Sequence, residues 1–257
     1  MRFTAMRRFV RSGIESAKRF LDRLRGVRRI HFIHIGKTGG TALKAALSHS
    51  SNRKLRFVLH GHGTSLADVP YGEQCIFFVR DPLARFVSGF LSRQRKGRPR
   101  YDIPWSAEER EAFTAFATPN ELALALSSKN AGRRDLAEAA MRGISHVKDH
   151  YWRWLRDEDH LRRRRGDILF VGSQERLEKD VAALSAILGT TIELPAGELA
   201  SHRNPAGADR SLDPQAVVNL LDWYQDDYDC LRLLRAWFPH LPDYTASHAR
   251  QGRSADR

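Results

Sequence analysis

Six consecutive residues, Gly36-Lys37-Thr38-Gly39-Gly40-Thr41, concentrate the anion-binding chemistry of this chain. Glycine lets the backbone come close to a ligand. Lys37 adds a point charge, and Thr38 and Thr41 add hydroxyls. The apolar run RIHFIHI (29–35) precedes the group and reads as a strand, and TALKAALS (41–48) follows it and reads as a helix. A glycine turn between a strand and a helix presents unpaired N–H groups and the positive end of a helix dipole. The group is therefore expected to cradle phosphate or sulfate.

Its tail matches the end of the nucleotide-binding pattern G-x-x-x-x-G-K-[ST], but His31 stands where that pattern has its first glycine. ATP chemistry also calls for a Mg²⁺-binding Asp at the end of another strand. Asp81 follows the strand-like CIFFV (75–79) and Arg80, yet it stands directly before Pro82, where capping the next helix accounts for it. Both features argue against an ATP-dependent P-loop kinase, which stays as the alternative enzyme reading.

The elements that must position this loop follow from the apolar runs. RFVL (56–59), CIFFV (75–79) and ILFV (168–171) are short and uninterrupted, as suits strands buried on both faces of a parallel sheet. Residues 107–160 read as helices alone, Glu175–Leu188 as another helix, and 214–236 as one last long helix. Alternation of strand and helix predicts an α/β fold. The expected form is three-layered and like the P-loop NTP hydrolases, with a central parallel sheet and a helical insertion before the last strand.

The chain has 257 residues, enough for one substantial domain, expected over 29–245. Its net charge of +13 resembles a nucleic-acid signal until it is mapped. Residues 1–29 hold ten Lys/Arg and two acids, and 246–257 hold three Arg and one Asp, leaving +3 for 30–245. The excess belongs to a basic N-terminal segment (1–28) and a basic tail (246–257), and no nucleic-acid partner is expected. Two runs, RQRKGRPR (93–100) and RRRR (162–165), read equally as solvated loop charge or as a local basic surface. Phe3, Met6, Val10, Ile14, Ala17, Leu21 and Leu24 step by three or four along one helical face with arginines around it. Such a helix either touches a membrane surface or partner, or packs on its own domain. A non-catalytic protein that binds nucleic acid or an anionic membrane surface through this segment is the third functional reading. No apolar run approaches the ~20 residues of a membrane span. The two cysteines, Cys75 and Cys230, are expected to be reduced thiols, which suits a cytoplasmic protein.

FIHIGKTGGTALKAAL (32–47) resembles the 5′-phosphosulfate loop of carbohydrate sulfotransferases, with Gly36 where the family pattern has proline. FFVRDPLARFVSGF (77–90) resembles the family's second signature, a strand ending in Arg80 with Ser88 eight residues on. LHGHG (59–63) resembles the His-Gly-His of the hexuronic acid 2-O-sulfotransferase branch, and DILFVGSQERLEKDVAAL (167–184) the late strand and helix. The resemblance implies transfer of a sulfuryl group from 3′-phosphoadenosine 5′-phosphosulfate, as donor co-substrate, to a hydroxyl of a saccharide, glycolipid or related acceptor, with no metal. It implies that Lys37, Thr38, Gly39, Gly40, Thr41 and Ala42 hold the 5′ end of the donor, and that Arg80 and Ser88 hold the 3′-phosphate. Arg203, in the polar loop 201–211, is a further candidate there. In-line displacement at sulfur needs a cation near the leaving phosphate, for which Lys37 is placed, and a base facing the acceptor. By resemblance His62 is the first choice for that base and His60 the second. At strand spacing the two would face the same side and line one pocket. HVKDHYWRWL (146–155), read as a helix, carries aromatics that either line the acceptor site or fill the core.

Overall fold

Parallel strands need both faces covered, and the apolar runs of this chain supply that on alternate residues. The computed structural model describes residues 16–195 and 209–245. Four strands, β1 (Arg28–Phe32), β2 (Leu55–Leu59), β3 (Gln74–Val79) and β4 (Ile168–Ser173), form one all-parallel sheet in the order β2-β1-β3-β4. In β3, Ile76 and Phe78 join Phe32, Leu43, Leu47 and Phe170 on one face. Cys75, Phe77 and Val79 join the larger core on the other.

The smaller face is covered by α1 (Gly40–His49) and α8 (Leu177–Leu188). The larger face carries α2 (Pro82–Gln94), then α3 (Ala107–Ala115), α4 (Pro119–Ala125), α5 (Ala131–Gly143), and the short α6 (Trp152–Leu155) and α7 (Glu158–Arg163). These form the helical insertion before the last strand. The chain closes with α9 (Pro214–Trp223) and α10 (Gln225–Trp237). The fold is thus α/β in three layers. The path runs outward from β1 to β2, then returns past β1 to β3. That reversal opens a crevice at the carboxyl ends of β1 and β3, where sheets of this kind bind ligands.

Three expectations need correction. Residues 214–236 are two helices, because at Tyr224 the chain bends so that the buried phenol donates to the Val147 carbonyl (2.9 Å). Residues 146–151 are not helical, because distant groups take their backbone partners. The Asp227 carboxylate accepts from the Tyr151 N–H (2.7 Å), and Arg85 donates to the Asp149 carbonyl. Tyr151 and Trp154 are buried in the core. The first strand ends at Phe32, three residues earlier than its apolar run. Arg203, the apolar positions Phe3 to Ile14, and the 246–257 tail lie outside the described residues. Among the described residues, no helix is long and apolar enough to cross a membrane.

Candidate anion-binding and acid–base site

The loop between β1 and α1 is shaped by two left-handed residues, Lys37 (φ 68) and Gly39 (φ 82). Gly39 is the N-cap of α1. No side chain caps the helix, and its first turn carries no acid. The donors at its start are thus left for a ligand. Gly40 must be glycine for a different reason, since a Cβ there would lie 2.0 Å from Cδ2 of His34. Thr38 plays another part than expected. It is 1% exposed, its hydroxyl donates to the Ile35 carbonyl (2.9 Å), and it is absent from the cavity wall. It braces the turn.

A cavity of about 1970 Å³ opens over the carboxyl ends of the strands. Lys37, Gly39, Gly40, Thr41, Ala42, Arg80, Ser88 and His62 line it together. Arg80 leaves the end of β3 and donates from a guanidinium NH to the Lys37 carbonyl (3.2 Å). Its backbone is pinned by Tyr151, whose phenol accepts from the Arg80 N–H (2.9 Å) and donates to the Arg80 carbonyl (2.5 Å). Arg80 Nε is buried with no hydrogen-bond partner. Ser88 lies on α2, whose start is fixed by Asp81: its carboxylate accepts from the Ala84 N–H (2.9 Å) and from the Tyr228 hydroxyl (3.2 Å).

Two cations that local sequence did not single out complete this wall. Arg95 and Arg210 line the same cavity. Arg95 sits in the run 93–100 and Arg210 in the loop that contains Arg203; both were visible as charges, but their direction was not. Lys37 forms no ion pair among the described residues, and its amine is pushed down to about 8. Burial is the main cause, followed by the charges of Arg95 and Arg80. Arg80 is shifted the same way by burial, against the opposing charges of Glu175 and Asp81, and Arg210 adds a smaller repulsion. Mutually repelling, half-buried cations are costly to keep together. An anion among them would reverse each of those shifts.

The two candidate histidines part company. His62 is on the cavity wall, its ring centre 3.9 Å from that of His34, tilted against it, and 5.7 Å, edge-on, from that of His146. Desolvation, then the charge of Lys44, holds its pKa below the usual 6.5, while a hydrogen bond to the His34 backbone opposes them. Held below its ordinary value, the imidazole is neutral at pH 7 and keeps one ring nitrogen with a lone pair. His60 instead turns to His31, Nε2 to Nδ1 at 2.8 Å, and His31 Nε2 meets the Glu73 carboxylate at 2.6 Å. His60 is not part of the cavity wall. The expected shared face fails because β2 ends at Leu59, so strand alternation stops before either histidine.

His34 and His146 were not anticipated as site residues. Burial drives both imidazoles down to about 3, so both are neutral near pH 7. His146 adopts φ 69 and fills the space over two glycines: a Cβ on Gly36 would lie 3.1 Å from its Nδ1, and one on Gly89 3.2 Å from its Cβ. This gives Gly36 a packing reason. These imidazoles do not form a metal-holding group among the described residues. Taken together, the wall can hold a ligand with more than one anionic group and offers a neutral imidazole beside it to accept a proton. Set against known protein families and curated proteins, the chain matches no family and no curated sequence, so its functional reading rests on the chemistry of this cavity.

Proposed function

We propose that this protein is a sulfotransferase of P-loop-like α/β fold, using 3′-phosphoadenosine 5′-phosphosulfate as donor and a hydroxyl of a saccharide, glycolipid or related molecule as acceptor. One observation carries the reading: the glycine turn with Lys37, the guanidinium of Arg80, Ser88 and the imidazole of His62 share one cavity, with Arg80 touching the turn. In this reading the N–H groups of Gly39 to Ala42 and Lys37 hold the 5′ end. Arg80, whose planar fork suits phosphate, holds the 3′-phosphate with Ser88, and Arg95 and Arg210 add charge. His62 accepts the acceptor hydroxyl proton as the new O–S bond forms and the S–O bond to the 5′-phosphate breaks. Lys37 neutralises the charge that the leaving phosphate gains. Thr38 and His60 support the site without touching the ligands. The location proposed is cytoplasmic.

The ATP-dependent alternative needs a free carboxylate near the turn, and Asp81 is already engaged as a helix cap and by Tyr228. Thermal shift with 3′-phosphoadenosine 5′-phosphate against ADP plus Mg²⁺ separates the two. At one hundred times its Kd a ligand stabilises by ~2.7 kcal/mol, which for a chain of this size is a Tm rise of roughly 5–11 °C. A rise with ADP plus Mg²⁺ and none with the bisphosphate overturns the proposal. A rise with neither, in protein that is folded, overturns both enzyme readings in favour of a non-catalytic binding protein.

A further inference from the structure

The helix over residues 16–24 is inverted relative to a helix that packs on its own domain. The residue it turns inward is an acid. Asp22 is 3% exposed, and its carboxylate meets Arg29 of β1 (2.7 Å) and Arg56 of β2 (3.1 Å). Its carbonyl accepts from the Val27 N–H (2.8 Å). Arg19 reaches Glu73, just before β3 (3.7 Å). The residues it turns outward are apolar: Phe20 is 63% exposed, Leu21 46% and Leu24 69%. Leu24 lies four residues from Phe20 and three from Leu21, so both pack beside it along one apolar stripe. Exposed Arg23, Arg25 and Arg28 lie beside it, and exposed Arg53 and Lys54 lie at the start of β2. Within 16–28 the sole acid is Asp22, and it is neutralised inside, so the surface of this segment carries cations and no carboxylate.

We propose that this face docks on an anionic lipid bilayer. An apolar ridge flanked by cations is the construction of a helix lying in the membrane interface. Phosphate-bearing headgroups complement the cations, and the acyl boundary takes up Phe20, Leu21 and Leu24, which a nucleic-acid backbone would leave wet. The placement has a consequence for access. The helix is tied to the amino ends of β1, β2 and β3, whereas the cavity opens over their carboxyl ends. The five residues of β1 separate the two by about 17 Å. The docked protein therefore presents its cavity away from the bilayer, toward molecules in the surrounding water. Docking of this face does not depend on what the cavity binds.

The test is flotation of the full chain with phosphatidylcholine vesicles and with vesicles that also contain phosphatidylglycerol. Binding to the second, weakened by salt, is expected. The Phe20→Ser/Leu24→Ser variant should weaken it by tenfold or more, judged from ~1.5–3 kcal/mol per large apolar side chain. Arg23→Gln/Arg25→Gln should weaken it roughly fivefold per cation, from ~1 kcal/mol each. These side chains are exposed, so both variants should keep the parent Tm. Absence of vesicle binding by the full chain overturns the proposal, as does binding that ignores Phe20→Ser/Leu24→Ser. So does concentration-dependent self-association, or binding to duplex DNA, in place of vesicle binding.

Discussion

Raising the pH from 7 to 9 should weaken anion binding in the cavity roughly tenfold, and Lys37 is the reason. In the free protein its amine is pushed from 10.5 down to about 8, chiefly by burial. An anion seated against the glycine turn favours the charged amine and restores the ordinary value. The sign follows by linkage. The bound state holds a proton that the free state releases above pH 8, so binding takes up a proton and affinity falls as pH rises through 8. With full restoration, affinity at pH 9 is about one tenth of that at pH 7, or ~1.4 kcal/mol. Near pH 8 about half a proton is taken up per ligand bound. Calorimetry in two buffers of different ionisation enthalpy counts that proton, with 3′-phosphoadenosine 5′-phosphate as ligand. Lys37→Met should abolish the pH slope. It should also raise the Tm of the free protein at pH 7, because burying an unpaired ammonium costs on the order of 3 kcal/mol in this setting. A flat response from pH 7 to 9 in the native chain, or an equal slope in Lys37→Met, would refute the placement of a ligand anion at Lys37.

The remaining predictions concern the residues around the turn. His62→Ala should lower turnover ~10²–10⁴-fold while leaving bisphosphate affinity unchanged; since the neutral imidazole is the active form and its pKa lies below 6.5, native turnover should fall only on the acid side of pH 6.5. Gly40→Ala should cost about 1–3 kcal/mol in stability and abolish nucleotide binding, because the new Cβ meets the buried His34 ring; thermal denaturation with and without ligand checks both. Asp227→Ala removes the partner of buried Arg85 (3.0 Å) and the acceptor of the Tyr151 N–H, so it should cost about 3–5 kcal/mol. It should also weaken bisphosphate binding, since Tyr151 pins Arg80; an unchanged Tm would remove this support from the account.

What the sequence determined by itself was whatever depends on near neighbours. Apolar runs named all four strands, Asp81-Pro82 named the start of α2, and glycine spacing with Lys37 marked a turn able to hold an anion, because strand burial, helix capping and left-handed turns are set within a few residues. Only the tertiary structure decided which charges and rings converge. Arg95 and Arg210 lie 58 and 173 residues beyond Lys37 in the chain yet share its cavity, and nothing near either residue announces that direction. The same holds for residues 146–151, which lose their helix to partners on α2 and α10, and for His60, which turns to His31 once β2 has ended. The inward turn of Asp22 on the helix over 16–24 is the same kind of fact: periodicity located the apolar stripe, but only the arginines waiting on β1 and β2 determined that the acid would go in and the stripe would stay out. Hydrogen bonds and ion pairs between distant segments are energetically decisive where water is excluded, and they leave no local trace in the chain.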